Sequence, residues 1–438
     1  MTIARTSCFG RRRNHKGTNL SLMLVAVLCC CVFQVACGGS SAVSNNTSSG
    51  RSSCVPASSA TYAGTQPVTY SFSVLHAFTG HANSANVEGG HPYAGMVMDG
   101  AGNLYGTTLT DGAFYFGTVF KVDPTGKQTT LHDFTGGADG GAPWGVLEQD
   151  EKCNLYGTTT NGGASSRGIV FKLDPAGNLT VLHAFNNADG NSPEAGVIRD
   201  ASGNLYGMTM YGGSSDHGVA YRLDANGTYT VLHSFSGGTD GVGPRGPLLQ
   251  DSAGNLWGMT LDGGSSGGGV IFKIDPAGNE TIVHTFTGPD GFNPLGGLVQ
   301  DSAGNLYGTA SAGGTQQSGV IFKIDTAGSF TLLYNFDGTT GGGGPWNIVL
   351  DAGGNIYGAA GAGDPTCGGD GCGVIYKLDT AGNQTILHSF SFTDGEFATD
   401  LMQDAAGNLY GTTMEGGLPA CDVAIYGYCG VVFKLTAH

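Results

Sequence analysis

Six residues of the sequence occupy equivalent places in a repeated segment, but their side chains differ in charge and size. Several of them are of types that bind ligands. Each follows a proline: Tyr93, Trp144, Glu194, Arg245, Leu295 and Trp346. Aromatic rings beside one carboxylate and one guanidinium suit a sugar or peptide ligand. A seventh copy lacks the proline and has Thr399 at this place. We therefore predict a ligand site built from these six residues.

A second group of candidates lies in segments whose sequence varies from one repeat to the next. These segments contribute Asp111, Tyr115, Arg167, Tyr211, Asp216, His217, Asp262 and Glu415. Because binding residues concentrate on loops that a rigid scaffold positions, we predict that these residues surround the same site. The alternative is that the divergence reflects only relaxed loop packing.

Acidic residues and histidines recur with the same repeat. The acids form Asp-Gly steps at Asp139, Asp189, Asp240, Asp290, Asp337 and Asp394, with Glu88 near the seventh place. We interpret them as turn formers, and a cation-binding acidic ring is the alternative. The histidines of the Leu-His-x-Phe strings are His76, His132, His183, His233, His284 and His388, and Tyr334 replaces one of them. Seven equivalent places around a ring are too far apart to share an ion at about 2.0–2.1 Å, so we predict structural hydrogen bonds between repeats.

Catalytic motifs are absent from the sequence. It contains no Gly-x-Ser-x-Gly, no His-Glu-x-x-His and no phosphate-binding glycine loop followed by Lys-Ser/Thr. The sequence therefore favours a protein that is not an enzyme and predicts no catalytic residue, no metal and no cofactor, with calcium left as an alternative.

Four cysteines lie in pairs within two long loops. We predict the disulfides Cys367–Cys372 and Cys421–Cys429, because an exported protein keeps such bonds. A four-cysteine zinc site is the rival interpretation, although the spacing in Cys-Gly-Gly-Asp-Gly-Cys is not that of a zinc knuckle. Cys54 and Cys153 receive no partner from the sequence.

The elements that must position these residues repeat about every fifty residues. The string Asn-Leu-Tyr-Gly, or a close variant, begins at Asn103, Asn154, Asn204, Asn255, Asn305, Asn355 and Asn408. The fourth unit reads as four strands, namely 246–250, 255–261, 270–274 and 280–286. Asp-x-x-Gly turns join strands one to two and three to four, which makes the strands antiparallel.

Four-stranded units at this period predict an all-β, seven-bladed β-propeller over residues 70–438. A β-solenoid or a string of separate modules is the alternative. The array begins with a lone fourth strand at 70–78 and ends with three strands, so we expect the first strand to complete the last blade. Because closure removes exposed sheet edges, we also expect a monomer.

Composition limits the possible partners. The 438 residues include 79 glycines, and only 12 % of the residues are charged. The glycines follow no every-third-residue period, which excludes collagen. The formal net charge of −16 opposes binding to phosphate backbones, so nucleic acid is not an expected partner.

The N-terminus has the pattern of an export signal. Basic residues precede an apolar run at 20–36, and Cys37 follows. The ending Val35-Ala36-Cys37 resembles a bacterial lipoprotein box, in which the cysteine is lipidated, although Gln34 departs from the usual leucine. We predict a signal peptide at 1–37 with lipidation of Cys37, a disordered tether at 38–69, and a location at the cell surface or in the periplasm, attached to the outer face of a membrane. Ordinary cleavage and secretion, or an uncleaved anchor, are the alternatives.

The combined repeat motif resembles a known family. Asp-x-x-Gly-Asn-Leu-Tyr-Gly, then Gly-Val-Ile-Phe-Lys-Ile-Asp, then Leu-His-Ser-Phe resembles the GloVer tandem repeat of bacterial surface and secreted proteins over about 70–438. More loosely, the segment from Asp251 to Trp257 resembles the blade motif of streptogramin lyase and NHL-type propellers. We expect a binding or display module for a carbohydrate or protein ligand. A propeller lyase or hydrolase acting on a polysaccharide or an ester is the alternative.

Overall fold

The computed structural model describes residues 69–80, 88–339, 341–363, 371–418 and 429–438. The predicted signal peptide with Cys37, most of the predicted tether, Cys54, Cys367 and Cys421 lie outside these residues. In the described part of the chain, no helix has the length and apolar character needed to cross a membrane.

Short turns with a fixed geometry make each hairpin. In the turn at Asp251, the Gly254 N–H donates to the Asp251 carbonyl, and the Asp251 N–H donates to the Asn255 carbonyl, both at 2.9 Å. Gly254 has φ +82°, a conformation that glycine adopts without steric cost. The Asp251 Oδ1 atom accepts from the backbone N–H groups of Ala253 and Asn255. The sequence pattern therefore fixes both ends of the hairpin locally.

These hairpins organise the chain into one lone strand followed by seven blades. The strands are β1 (Tyr70–Ala77); β2 (Val97–Met98), β3 (Leu104–Thr108), β4 (Thr118–Val122) and β5 (Gln128–Asp133) of blade 1; β6 (Glu148–Gln149), β7 (Leu155–Thr159), β8 (Ile169–Leu173) and β9 (Leu179–Ala184) of blade 2; β10 (Ile198–Arg199), β11 (Leu205–Thr209), β12 (Val219–Leu223) and β13 (Tyr229–Ser234) of blade 3; β14 (Val242–Pro244), β15 (Leu249–Gln250), β16 (Leu256–Asp262), β17 (Val270–Ile274) and β18 (Glu280–Thr285) of blade 4; β19 (Val299–Gln300), β20 (Leu306–Ala310), β21 (Val320–Ile324) and β22 (Phe330–Asn335) of blade 5; β23 (Gly343–Leu350), β24 (Ile356–Ala362), β25 (Val374–Leu378) and β26 (Gln384–Ser389) of blade 6; and β27 (Glu396–Gln403), β28 (Leu409–Glu415) and β29 (Val431–Ala437) of blade 7.

The sheets confirm the predicted seven-bladed propeller and its closure. Every blade is an antiparallel sheet, and in blades 1 to 6 the strands are neighbours in chain order. In blade 4 the first strand is divided into β14 and β15, which both pair with β16. The last sheet has the order β1-β29-β28-β27, with Tyr70 opposite Ala437 and Ala77 opposite Val431. The N-terminal strand thus completes the final blade and leaves no open end in the ring.

Aromatic pairs between neighbouring blades form a repeated part of the core. The phenylalanine of each Leu-His-x-Phe string, or its counterpart, meets the third-strand ring of the next blade edge-on, with ring centroids 5.0–5.4 Å apart. The pairs are Phe78–Phe120, Phe134–Phe171, Phe185–Tyr221, Phe235–Phe272, Phe286–Phe322, Phe336–Tyr376 and Phe390–Phe433. Each such pair contributes about 0.5–1.5 kcal/mol beyond the burial of its area.

A β-bulge in each fourth strand aims its histidine, or Tyr334, out of the regular pleat. In blade 3, His233 lies opposite Ala220 and Val231 lies opposite Tyr221, so Leu232 is the extra residue. A bulge bends the strand and re-aims the side chain beside it. The repeated bulge therefore brings the histidine to the loop that leads into the next blade.

Candidate functional site

Two kinds of loop share one face of the propeller, which we call the loop face. The loops between second and third strands hydrogen-bond to the loops that join blades. Examples are Gly163 N–H to the Gly137 carbonyl at 2.8 Å and Gly264 N–H to the Gly238 carbonyl at 3.0 Å. The Asp-x-x-Gly turns lie at the opposite ends of the same strands and form the turn face. All the predicted binding residues lie in these two kinds of loop or in the strand ends beside them.

Exposed aromatic side chains concentrate on the loop face. In the described residues, the large hydrophobic side chains that are exposed on this face are Phe114, Tyr115, Phe116, Tyr211 and Phe392. The remaining exposed ones, Val74, Val181 and Val231, lie on outermost strands. Three of the aromatics are consecutive and form what we call the aromatic loop, residues 114–116. A cluster of exposed aromatics is typical of an interaction site.

The aromatic loop is held in a conformation that exposes its central ring. Tyr115 is 63 % exposed and has φ +68°, which is uncommon for a bulky residue. The equivalent residues of blades 2 to 5 also have positive φ, and one of them is Gly267. Phe116 lies against the backbone of the joining loop, where a Cβ atom on Gly136 would overlap its ring. The loop backbone is therefore a shared feature, whereas the three aromatic rings belong to blade 1.

The six proline-following residues are buried, and five of them meet in the interior of the molecule. All six, Tyr93, Trp144, Glu194, Arg245, Leu295 and Trp346, are at most 9 % exposed. The Tyr93 ring lies 4.4 Å from the Trp144 ring and 6.1 Å from the Trp346 ring, between centroids. Since Tyr93 and Trp346 belong to blades 1 and 6, the rings meet where the blades converge. The predicted ligand site is built from these six residues, and the structure buries them, with the Tyr93, Trp144 and Trp346 rings in one core cluster.

Glu194 and Arg245 form a buried ion pair within this group. The Arg245 Nε atom lies 2.7 Å from the Glu194 Oε2 atom, and the side chains are 3 % and 7 % exposed. The guanidinium also lies over the Trp144 ring, 5.6 Å from its centroid. Trp144 Nε1 and Arg245 Nη2 have no hydrogen-bond acceptor in the described part of the chain. The arrangement explains why these residue types occur together, and a ligand-binding role for them stays a prediction.

The charges that act on Tyr211 include this ion pair and two further loop candidates. Burial raises the pKa of Tyr211, and the negative charge of Glu194 raises it further. Asp216 and Asp262 add to the effect, whereas Arg245 opposes it. Tyr211, Asp216 and Asp262 thus belong to blades 3 and 4, and the charges of the buried pair act on the Tyr211 hydroxyl.

The other loop candidates are spread over the face. Asp111 is buried beside the aromatic loop, whereas Arg167 is exposed on blade 2. His217 covers the backbone at Gly237. Glu415 is half-buried on blade 7, and this burial raises the pKa of its carboxyl. The structure therefore does not bring all the loop candidates into one cluster.

The repeated histidines have the predicted structural surroundings. Their Nε2 atoms face carboxylates of the joining loops at 3.0–3.2 Å in five blades, as in His284 with Asp290. Several rings also stack on the fourth strand of the next blade, with His183 3.9 Å from Tyr229 and His388 3.8 Å from Phe72, between centroids. The Asp-Gly acids serve as acceptors within these turns, as the turn-former interpretation predicts.

Sequence reasoning missed one group that differs from this pattern. His233, Asp240 and Glu280 present three ligand atoms within 4.8 Å of one another. The signal in the sequence was Glu280, because the same place in the other blades is taken by Phe72, Gln128, Leu179, Tyr229, Phe330 and Gln384. Glu280 and His233 belong to different repeats, because Glu280 contacts the histidine of the preceding blade. Reading one repeat at a time therefore does not reveal the group.

Seven antiparallel four-stranded sheets, closed into a ring by the N-terminal strand, define the protein as a β-propeller. The sequence matches the model of the Gloeobacter/Verrucomicrobia repeat family over residues 51–260 and 244–438. The chain therefore belongs to this family, which confirms the resemblance inferred from the repeat motif. No curated protein matches the sequence.

Solved structures share the fold at low sequence identity. The extracellular domain of a proposed hybrid two-component system from B. thetaiotaomicron is 14 % identical with a TM-score of 0.50, and the match covers 83 % of this chain but 41 % of that one. A proposed 6-phosphogluconolactonase from Bacteroides uniformis is 15 % identical with a TM-score of 0.49, covering 71 % and 88 % of the two chains. A gluconolactonase from Xanthomonas campestris is 15 % identical with a TM-score of 0.41, covering 68 % and 86 %. At this level of identity the likeness extends to the fold alone.

Proposed function

We propose that the protein is an extracytoplasmic binding module that holds a neutral carbohydrate on its loop face. The observation that carries this proposal is the segregation of exposed aromatic side chains. The aromatic loop, Tyr211 and Phe392 all lie on the loop face. The turn face, in contrast, is made from the same polar turn repeated in every blade. A face that differs from blade to blade can recognise one ligand, whereas a uniform face cannot.

The chemistry of the loop face suits sugar rings. Aromatic faces pack against the apolar faces of sugars, and nearby carboxylates and amides accept or donate hydrogen bonds to hydroxyl groups. Asp216 and Asn187 supply such groups beside Tyr211, with Asn187 Nδ2 lying 3.4 Å from Asp216 Oδ1. The formal net charge of −16 repels acidic polysaccharides, which favours a neutral glycan.

Export by the N-terminal segment is part of the proposal. The basic segment, the apolar run and Cys37 support secretion followed by lipidation. The similar domain from B. thetaiotaomicron is described as extracellular, which is consistent with this location. Replacing Cys37 by Ala is expected to move the protein from the membrane fraction to the soluble fraction. If the distribution does not change, Cys37 is not the anchor.

A propeller lyase or hydrolase remains the alternative function. Such an enzyme needs reactive groups that the substrate can reach. Glu194 and Arg245 are buried and paired with each other, and burial lowers the pKa of His91 to about 4. These features favour structural roles for the charged groups near the centre, so we place binding ahead of catalysis.

A glycan array probed with the purified protein tests the binding proposal. The matched variant is a loop exchange, Phe114→Ser with Tyr115→Ser and Phe116→Arg, which installs residues 165–167 of blade 2 in blade 1. Both loops have the same length, so the fold already accommodates the replacement. Val231→Ser removes an exposed apolar side chain from an outermost strand and serves as the control.

We expect the wild-type protein and the control to bind the same glycans, with and without calcium, and the loop exchange to reduce binding at least tenfold. Equal binding by all three proteins would exclude the aromatic loop as the contact. Release of shorter sugars from a bound glycan would favour the enzymatic alternative, and binding to no glycan would favour a protein ligand.

The predicted disulfides would stabilise two of the longer loops. Cys372 and Cys429 are buried at the starts of the segments that lead into β25 and β29. Bonds from these residues to Cys367 and Cys421 would each contribute about 2–3 kcal/mol by loop closure. Mass spectrometry of a digest made without reduction tests the pairs, since unlinked peptides from these four cysteines contradict them. Zinc retained by the reduced protein in proportion to these thiols would support the four-cysteine alternative.

A further inference from the structure

The outer rim between blades 3 and 4 brings together one imidazole and two carboxylates. His233 lies on β13, Asp240 lies in the loop that joins the two blades, and Glu280 begins β18. The His233 Nε2 atom is 3.4 Å from the Asp240 Oδ2 atom and 3.5 Å from the Glu280 Oε2 atom. His233 and Asp240 are neighbours in sequence, whereas Glu280 comes from the fourth strand of the next blade, so the packing of one blade on the next completes the group.

The distances in this group differ from those of the equivalent histidines. In five other blades the histidine lies 3.0–3.2 Å from a single carboxylate, which is an ordinary hydrogen-bond distance. Zinc–ligand bonds of 2.0–2.1 Å in tetrahedral geometry place neighbouring ligand atoms about 3.3–3.4 Å apart. The two distances from His233 Nε2 are close to that spacing, and all three ligand atoms lie within 4.8 Å of one another. A small movement of the carboxylates therefore lets one ion contact all three side chains.

The Glu280 carboxylate is largely buried, and one of its oxygens makes no hydrogen bond among the described residues. Its side chain is 11 % exposed, and its Oε1 atom is buried without a hydrogen-bond partner in the residues that the structure describes. Two carboxylates held side by side repel each other, and a divalent cation between them removes both the repulsion and the unpaired oxygen.

The group is open enough for an ion to enter. The side chains of His233, Asp240 and Glu280 are between 11 % and 21 % exposed, so they reach the surface at the outer rim. Coordination uses the lone pair of His233 Nε2, which places the imidazole proton on Nδ1. Three protein ligands leave a further position for water.

We propose that His233, Asp240 and Glu280 bind a divalent transition-metal ion of the zinc class, which clamps blade 3 to blade 4. Nitrogen and oxygen ligands together select zinc and its neighbours over calcium, which takes six to eight oxygen ligands. At the equivalent place the sequence has an aromatic residue, a glutamine or Leu179 in the other six units, and none of these is a carboxylate. The ion therefore supplies a link at one junction that the repeat itself does not provide.

Zinc binding to the full chain tests this site. The measurements are titration calorimetry and the melting temperature with zinc chloride or with a chelator. Glu280→Gln removes one ligand and introduces the residue that blades 1 and 6 already have at this place. His284→Tyr is the control, because Tyr334 occupies the equivalent position in blade 5. Other metal-binding groups, including the leader cysteines, are common to all the chains and cancel in the comparison.

We expect Glu280→Gln to lose one bound zinc per chain, or to bind it at least tenfold more weakly, and to lose the zinc-dependent rise in melting temperature. His284→Tyr should behave as the wild type does. Equal stoichiometry, affinity and thermal shift in the wild type and Glu280→Gln would overturn the proposal. Without metal, Glu280→Gln should be at least as stable as the wild type, so loss of binding does not reflect misfolding.

A grafted site gives a second test. Gln128→Glu adds a carboxylate to the junction that already holds His76 and Glu88, whose Nε2 and Oε2 atoms lie 3.1 Å apart. We expect this variant to bind one zinc more than the wild type. Unchanged stoichiometry would contradict the claim that the second carboxylate is the deciding ligand.

Discussion

The turn face and the loop face of this propeller are held together in different ways. On the turn face, side chains make the same bonds in blade after blade. Asn154 Nδ2 donates to Asp150 at 2.7 Å, and Tyr156 Oη donates to the same carboxylate at 3.1 Å. Blades 1, 3, 5, 6 and 7 repeat this pair of distances. In blade 4 a tryptophan replaces the tyrosine, and its Nε1 atom donates at 2.9 Å.

On the loop face, backbone groups make the bonds that the blades share. Glycine N–H groups and carbonyls join the two kinds of loop, as in the bond from Gly163 to Gly137. Side chains such as those of Asp139 and Asp240 also accept from backbone N–H groups of the joining loops. The side chains at the tips of the loops between second and third strands, in contrast, differ from blade to blade. The side chains of the turn face therefore stabilise the fold, whereas side chains at the loop tips are available for recognition.

The largest expected effect lies beneath the loop face, at the buried ion pair. Glu194→Ala leaves the Arg245 guanidinium buried without its partner, so the free energy of unfolding should fall by about 3–5 kcal/mol. Chemical denaturation followed by fluorescence measures the change. The double variant Glu194→Leu with Arg245→Leu should lose much less, because Leu295 occupies the same place in blade 5. A loss below about 1 kcal/mol in the single variant would show that the pair does not stabilise the interior.

The turn face should respond according to the burial of each turn. Asp251→Ala removes the acceptor for two backbone N–H groups, the Asn255 amide and the Trp257 indole, and should cost about 1–3 kcal/mol. Asp275→Ala removes the same kind of acceptor from an exposed outer turn and should cost less. Both are measured by denaturation. Equal losses would contradict the view that burial of the inner turn sets its contribution.

The pH dependence of stability should have opposite signs at the Asp251 turn and at Glu280 on the outer rim. Burial opposes ionisation of Asp251, but hydrogen bonds from Trp257 and Asn255 outweigh it and lower the pKa. Its contribution is therefore present above the ordinary value of 3.8 and is lost as the pH falls through the lower folded pKa. Glu280 has a raised pKa, so its contribution is complete below 4.5 and is lost as the pH rises to about 7.

Denaturation with a chelator present separates these two effects. Between pH 4.5 and 7, the wild type should lose about 1–2 kcal/mol that the Glu280→Gln variant retains. Below pH 4, both proteins should lose stability together, because the turn aspartates are common to them. The same slope in both proteins between pH 4.5 and 7 would refute the assignment to Glu280.

The smallest expected effect on stability lies in the aromatic loop. Tyr115→Gly removes the strain of a bulky residue at positive φ, but glycine also increases the conformational freedom of the unfolded chain. Because these effects oppose each other, the free energy of unfolding should change by less than about 1 kcal/mol. Its effect on glycan binding should be large, since the ring is the most exposed aromatic of the loop face. Unchanged affinity for a glycan found on the array would remove Tyr115 from the contact.

The sequence by itself determined the number of blades and the way the ring closes. A period near fifty residues, Asp-x-x-Gly turns and the alternating strands are local signals, and they predicted the fourth unit to within three residues at each strand end except for β14, which lies before the predicted first strand. The lone strand at 70–78 and the three strands at the C-terminus predicted closure, because an incomplete blade has an unpaired edge. Local geometry and edge pairing decide these features, so the pattern alone was sufficient.

Only the tertiary structure decided which side chains meet between blades. The sequence aligned Tyr93, Trp144 and Trp346 at equivalent places, but the convergence of the inner strands buries them against one another. It likewise gave no sign that Glu280 faces His233, because the alignment of repeats compares equivalent positions and never neighbouring ones. Contacts between blades depend on how each sheet twists and packs on the next one, and that geometry exists only after the ring has formed.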